Sequence, residues 1–125
     1  MPDVEEIARQ LRLALESEQL DLLAPLLHPN VQWGDGPSPR ACRSSSDVLA
    51  TLGRLLGQGV AGEVRDLHVM PQGVIVHLAV SWPEPAPEDA RREVWQAFRV
   101  EDGLIVEIRG NDDEAEARHA LVSFH

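Results

Sequence analysis

Three polar residues near the end of the chain, Gln96, Glu107 and Arg109, fall on two apolar segments that Asp102-Gly103 joins. Asp-Gly between two such segments is a strong signal for a two-residue hairpin turn. Pairing the strands through this turn sets Phe98 opposite Glu107 and Gln96 opposite Arg109. One face of the hairpin is then predicted to carry Val94, Gln96, Phe98, Val100, Ile105, Glu107 and Arg109.

This face suggests a ligand site at the end of an apolar wall. Pockets for small molecules are mostly apolar with a few convergent polar groups, which Gln96, Glu107 and Arg109 beside Phe98 would supply. The guanidinium of Arg109 is permanently charged and could hold a carboxylate or enolate oxygen. In the alternative interpretation, Glu107 and Arg109 are two apart on one strand and form an ion pair on the outer surface.

Five histidines raise the question of a metal site, but their spacing matches no metal-binding motif. We therefore predict no metal and no other cofactor. His77 alternates with apolar residues on a predicted strand, so it could be a base in a pocket. The interpretation that we prefer for His77 is a hydrogen-bonded residue in the structure or at a subunit interface. Trp33 is a large aromatic residue that could line a pocket, although such residues lie more often in the core.

To act together, these residues need elements that the sequence places in the order helices first, strands afterwards. Helical spacing of apolar residues predicts helices over residues 4–18 and 20–27, and a third from the serines at 44–46 to Gly57. Strands are predicted at residues 30–33, 63–70, 74–82, 93–100 and 104–110, loops at 34–39 and 83–89, and a last helix after the caps Asn111, Asp112 and Asp113. Helices followed by strands indicate an α+β fold, in which the helices cover one face of an antiparallel sheet.

Composition limits the possible functions. The chain has 125 residues, the usual size of one domain, and we assign residues 1–125 to a single domain. Its formal charge of −10 makes a nucleic acid an unfavourable partner. No segment approaches the roughly 18 apolar residues of a membrane span, and the acidic N-terminus lacks the pattern of a signal peptide. We therefore expect a cytoplasmic protein without a nucleic-acid or membrane partner.

Two segments resemble a known family. Residues 20–33 pass from a short helix through His28-Pro29-Asn30 into a strand with an aromatic residue, as in SnoaL-like proteins. The hairpin over residues 98–108 is similar to the one that closes their sheet. On these features the chain is identified as a member of the nuclear-transport-factor-2-like superfamily. This resemblance implies a cone, in which a curved antiparallel sheet wraps around the N-terminal helices and a pocket lies between them.

The resemblance also implies candidate roles. Asp112 or Asp113 resembles the aspartate with which polyketide cyclases remove a proton beside a carbonyl group, with Arg109 as the electrophilic partner. The alternative is that both aspartates only cap the last helix. A homodimer through the outer sheet face is implied as well, with its apolar surface on Trp95, Val106 and Ile108. Because the chain has no tyrosine, it cannot repeat the oxyanion hole of ketosteroid isomerases.

Three functions are compatible with the sequence. The first is the binding of a small, mainly apolar molecule in a cone-shaped pocket, with these candidate ligand-binding residues: Trp33, Gln96, Phe98, Glu107, Arg109 and His77. The second is a cyclase-, isomerase- or dehydratase-like enzyme that works by acid–base chemistry without a cofactor, with Asp112 and Arg109 as catalytic residues. The third is a non-catalytic dimeric structural or accessory domain.

Overall fold

The computed structural model describes residues 3–34, 41–86, 88 and 92–122. The loops predicted at residues 34–39 and 83–89 lie partly outside these ranges. The described helices are α1 (Val4–Ser17), α2 (Leu20–Leu23), α3 (Ser45–Gly57) and α4 (Glu114–Val122), with a 3₁₀ turn at Ala24–Leu26. The strands are β1 (Leu27–Trp33), β2 (Ala61–Met70), β3 (Gly73–Ser81), β4 (Glu93–Glu101) and β5 (Leu104–Asn111). The predicted order of helices followed by strands is confirmed.

The five strands form one sheet in the order β1-β5-β4-β3-β2. Strands β2 to β5 are an antiparallel meander, as predicted, whereas β1 pairs with β5 in parallel and makes the sheet mixed. β1 begins at Leu27, three residues earlier than predicted, and the second helix is correspondingly shorter. The reason is Pro25, which lacks a backbone donor and ends the α-helix in a 3₁₀ turn.

Helices α1 to α3 cover one face of the sheet, which we call the inner face. Along the strands the inner face carries Val74, Val76, Phe98, Ile105 and Ile108, all at most 5% exposed. α1 contributes its buried stripe to the same core, and Leu11 at the centre of that stripe has no exposed surface. The expected packing of the N-terminal helices against a single sheet is confirmed.

The opposite face, here the outer face, is partly covered by α4. Ala117 and Leu121 of α4 pack on Ile75 of β3 and Ala97 of β4 in a second, smaller apolar cluster. The last helix therefore lies on the side of the sheet away from α1. No helix in the described ranges is long and apolar enough to cross a membrane.

The last hairpin begins as predicted. Asp102 and Gly103 have φ angles of 51° and 78°, as a two-residue turn of this kind requires. Glu101 then pairs with Leu104 and Val100 with Ile105. The next pair, however, joins Arg99 to Glu107, so that β5 contains one additional residue at this point, a β-bulge at Val106.

Candidate functional site

The bulge at Val106 separates the residues that the sequence places together. Beyond it, Phe98 pairs with Ile108 and Ala97 with Arg109, so the predicted pairs of Phe98 with Glu107 and of Gln96 with Arg109 are wrong. A shift of one residue moves each following side chain to the other side of a sheet. Ile108 therefore faces inward, and Glu107 and Arg109 face outward.

Glu107 and Arg109 form an ion pair on the outer face. Arg109 Nε lies 3.4 Å from Glu107 Oε2, and the Arg109 side chain is 54% exposed. The alternative interpretation, an outward pair, is therefore the observed one. Glu107 and Arg109 face outward because burying a carboxylate and a guanidinium on the helix-facing side would cost free energy, and a one-residue bulge avoids this cost.

Gln96 and Phe98 do face inward, but with different consequences. Phe98 is 5% exposed and packs within the main core. The Oε1 atom of Gln96 is buried and has no hydrogen-bond partner in the described part of the chain. An unpaired buried acceptor costs roughly 1–3 kcal/mol. Trp33, at the end of β1, is half-buried against the core and exchanges two backbone hydrogen bonds of 2.9 Å with Cys42.

The two aspartates after β5 begin α4. Asp113 Oδ1 accepts a hydrogen bond of 2.8 Å from the backbone N–H of Glu116. In return, Glu116 Oε1 accepts one of 3.1 Å from the backbone N–H of Asp112. This reciprocal arrangement is a helix cap of the kind expected from the alternative interpretation of the pair. Asp112 itself is exposed in the turn that leads into α4.

His77 lies on the outer face. Its ring stacks on Trp95 with centroids 4.1 Å apart and an interplanar angle of 7°. Its Nε2 atom lies 3.0 Å from Glu93 Oε1. His77 is therefore oriented by two neighbours on β4, on the side of the sheet opposite to α1.

Two of the three residues predicted for the homodimer surface pack against other parts of the chain. Ile108 is 3% exposed and belongs to the main core, because the bulge turns it inward. Trp95 packs against the cluster beneath α4. Of the three predicted contact residues, Val106 at the bulge remains half-exposed and outside both clusters. The homodimer itself stays a prediction.

A polar network holds the first turn of α4 to β2. His68 Nε2 lies 3.0 Å from Glu114 Oε1 and 3.2 Å from Asp66 Oδ2. Arg118 Nε donates a hydrogen bond of 2.9 Å to Glu114 Oε2. This bond is the main reason that the pKa of Glu114 is lowered from its usual value; desolvation opposes it and the charge of His68 supports it.

Acidification is therefore expected to loosen α4. A carboxyl with a lowered folded-state pKa contributes stability above its unfolded pKa, near 4.5, and this contribution is lost as the pH falls through the folded-state value. The protection factor of the Leu121 amide, which is its intrinsic exchange rate divided by the observed one, should fall as the pH drops below about 4.5, and Glu114→Gln should flatten this dependence. Glu16→Gln, at an exposed position of α1, should leave this dependence intact. An unchanged acid response in Glu114→Gln would contradict this role of the network.

A cavity of about 130 Å³ lies between the end of α1, the helices α2 and α3, and the inner-face ends of β2 and β3. Apart from Glu18 and Gln19, its described lining consists of Ala14, Leu15, Leu20, Leu23, Leu52, Leu55, Leu56, Val60, Ala61, Gly62, Leu78 and Val80. Within that lining, only the carboxylate of Glu18 is ionisable. Apolar cavities of roughly 150 Å³ admit molecules the size of benzene.

None of the residues predicted to bind a ligand belongs to this described lining. Apolar residues at helical or alternating spacing form the same pattern in a core and in a pocket, so the leucines of α3 and the valines of β3 do not by themselves indicate a cavity. Two signals in the sequence point to the cavity. They are the glutamate and glutamine that follow α1, and Gly62 at the inner face of a strand, where a side chain is missing.

Several solved structures resemble this one over most of its length. A candidate polyketide cyclase from Sinorhizobium meliloti has 16% sequence identity, covers 89% of this chain and 95% of its own, and has a TM-score of 0.65. An LEH-like epoxide hydrolase from M. tuberculosis has 20% identity, covers 98% and 93%, and has a TM-score of 0.61. A cystatin-fold protein from Novosphingobium aromaticivorans has 11% identity, covers 89% and 99%, and has a TM-score of 0.68. At such identities the likeness shows a common fold.

The sequence itself also matches a family. Among curated proteins, none matches the chain significantly. The model of the SnoaL-like domain, however, matches residues 7–108, from the buried part of α1 to Ile108 of β5. The resemblance seen in residues 20–33 and 98–108 is thereby confirmed. The chain belongs to the SnoaL-like family, and it shares the fold of solved nuclear-transport-factor-2-like proteins.

Proposed function

We propose that this protein binds a small, mainly apolar molecule in the cavity between α1, α2, α3 and the sheet. The observation that carries this proposal is the cavity itself, whose described lining is apolar except for Glu18 and Gln19. Ligand pockets have this character, with apolar walls and a small number of polar groups that orient the ligand. In this cavity the two polar residues, Glu18 and Gln19, follow each other at the end of α1.

The expected affinity is modest. At about 25 cal/mol per Å² of apolar surface removed from water, a ligand that buries roughly 200 Å² gains about 5 kcal/mol. Free energies of that size correspond to dissociation constants of about 0.1–1 mM. A longer ligand that also covers the rim would bind more tightly, because more apolar surface would leave water.

The acid–base alternative has less support from the arrangement of residues. A general base must come within hydrogen-bond distance of the proton that it removes, directly or through one water. Asp112 and Arg109 do not belong to the described cavity lining, and Arg109 is engaged with Glu107 on the outer face. The binding function requires neither of them, and for that reason it is the function we propose.

Titration with 1-octanol, observed through the methyl resonances, tests the proposal. We expect saturable shifts for Leu52, Leu55, Leu78 and Val80, which line the cavity. Leu121 of α4 lies on the other side of the sheet and serves as an internal control. Shifts that do not saturate, or that are equally large at Leu121, would contradict binding in this cavity.

A further inference from the structure

The way in which α1 ends holds the backbone of Glu18 at the rim of the cavity, and the side chain of Glu18 is exposed there. Glu18 is the C-cap residue of α1, with φ 56° and ψ 32°, and its backbone N–H is directed to the carbonyl groups of Ala14 and Leu15. The next residue, Gln19, donates its backbone N–H to Ala14 at 3.2 Å. All four of these residues line the cavity. The backbone that closes the helix therefore also positions the two polar residues of the lining.

A glutamate is unfavourable for stability at this position. The left-handed conformation at a helix end favours glycine or asparagine, because other residues crowd their own Cβ atom. The C-terminal end of a helix also carries a partial negative charge, which disfavours a carboxylate. Within the described ranges, the Glu18 carboxylate has no hydrogen-bond or ion-pair partner that would offset these costs. Residues that break a local rule without such compensation occur most often at functional sites.

The charge of the chain as a whole disfavours an anionic ligand in the cavity. The chain carries a formal charge of −10, which lowers the local concentration of anions around the protein. No basic residue belongs to the described lining, so a bound carboxylate would meet the charge of Glu18 without a cation to balance it. A ligand with a protonated amine would instead place its charge beside that carboxylate while its apolar part enters the cavity.

From these observations we infer that the cavity selects small apolar amines over carboxylates of the same size and shape, and that Glu18 is the residue that determines this selection. This inference rests on the proposed binding function. It assigns a polarity to the ligand: the apolar end lies among the leucines of α2 and α3, and the ammonium group lies at the end of α1. A neutral alcohol takes an intermediate place in the affinity order.

Three probes with one alkyl chain and different ends test the inference, namely octylamine, 1-octanol and octanoate at neutral pH. Dissociation constants measured by calorimetry should show octylamine binding about tenfold more tightly than octanoate at low ionic strength. In Glu18→Gln this ratio should fall to about twofold, with 1-octanol unchanged. Glu16→Gln removes the same net charge two residues earlier, at an exposed residue paired with Arg12, and should keep the tenfold ratio.

The outcomes separate the two proposals. If none of the three probes binds, the proposed function fails. If all bind with equal affinity, or if Glu16→Gln lowers the ratio as much as Glu18→Gln, the function stands and the selection by Glu18 is wrong. A second readout uses Glu18→Asn, which should raise Tm by about 2–5 °C while it weakens octylamine binding. A residue with only a structural role would not raise Tm and weaken octylamine binding when it is replaced. A lower Tm together with weaker octylamine binding would also overturn the inference.

Discussion

Replacing Gly73 by alanine is expected to destabilise the fold by about 3–5 kcal/mol. Gly73 is the first residue of β3 and is buried. A Cβ atom on it would lie 2.0 Å from the backbone oxygen of Phe98 and 3.0 Å from the Cα atom of Arg99. Both are backbone atoms of β4, so the conflict cannot be relieved by turning a side chain. The backbones of β3 and β4 would instead have to move apart at the buried beginning of β3.

Chemical denaturation of the two glycine variants measures this effect. Gly57→Ala is the matched control, because a Cβ atom at Gly57, in the last turn of α3, would meet no atom within 4 Å. There the same substitution should be neutral or stabilising by about 0.5–1 kcal/mol, since alanine favours helix. A change at Gly73 that is no larger than the change at Gly57 would mean that β3 and β4 are not this close.

The contrast between these glycines shows what the sequence could predict. Local signals placed the starts of α1 and α3 and the Asp102-Gly103 turn correctly, because each depends on residues within a few positions of one another. The strands predicted at residues 63–70 and 74–82 leave Gly73 in the turn between them. Its close approach to β4 depends on a residue 25 positions later in the chain (98 − 73), and no local pattern contains that information.

The bulge at Val106 explains why the predicted pairing of the last hairpin is wrong beyond its first residues. Strict alternation through β5 would put Ile105, Glu107 and Arg109 on one face, which mixes a core residue with two charged ones. The fold resolves this conflict by inserting one residue, so that Ile105 and Ile108 face the helices and the charges face outward. Only the inner-face position of Gln96 and Phe98 survives from the predicted group. A bulge is a response to packing on both faces at once, which the sequence of a single hairpin does not specify.

The residues that line the cavity were missed for a related reason. The walls of the cavity consist of residues that periodicity correctly assigns to the inner side of α1, α3 and β3. Whether such residues touch one another or leave a space depends on how far the helix ends stand from the sheet. That distance is set by the complete core, including the short β1 and the 3₁₀ turn before it. The residues of a pocket and those of a core therefore share one sequence pattern, and the empty space that makes a pocket is visible only in the three-dimensional structure.

Filling this space is expected to abolish ligand binding, and Gly62→Phe provides the means. Gly62 lines the cavity from β2, and a Cβ atom there would lie 3.8 Å from Leu78 Cδ2, an ordinary contact. The backbone can thus accept a side chain, and a phenyl ring is close to the size of the molecules that such cavities admit. The affinity for 1-octanol should fall at least about 100-fold, while the free energy of unfolding stays constant or rises by about 1 kcal/mol as the cavity is filled.

The neighbouring residue supplies the control. Glu63 pairs with Ala79 on the outer face and is exposed, so Glu63→Phe adds the same ring to the same strand on the opposite side of the sheet. Binding of 1-octanol by Glu63→Phe should equal that of the unmodified protein in calorimetry. If both variants bind normally, the ligand lies elsewhere; if both lose binding, the ring disturbs β2 itself. Loss in Gly62→Phe alone, with the fold intact, would locate binding on the inner face, where α1 ends at Glu18.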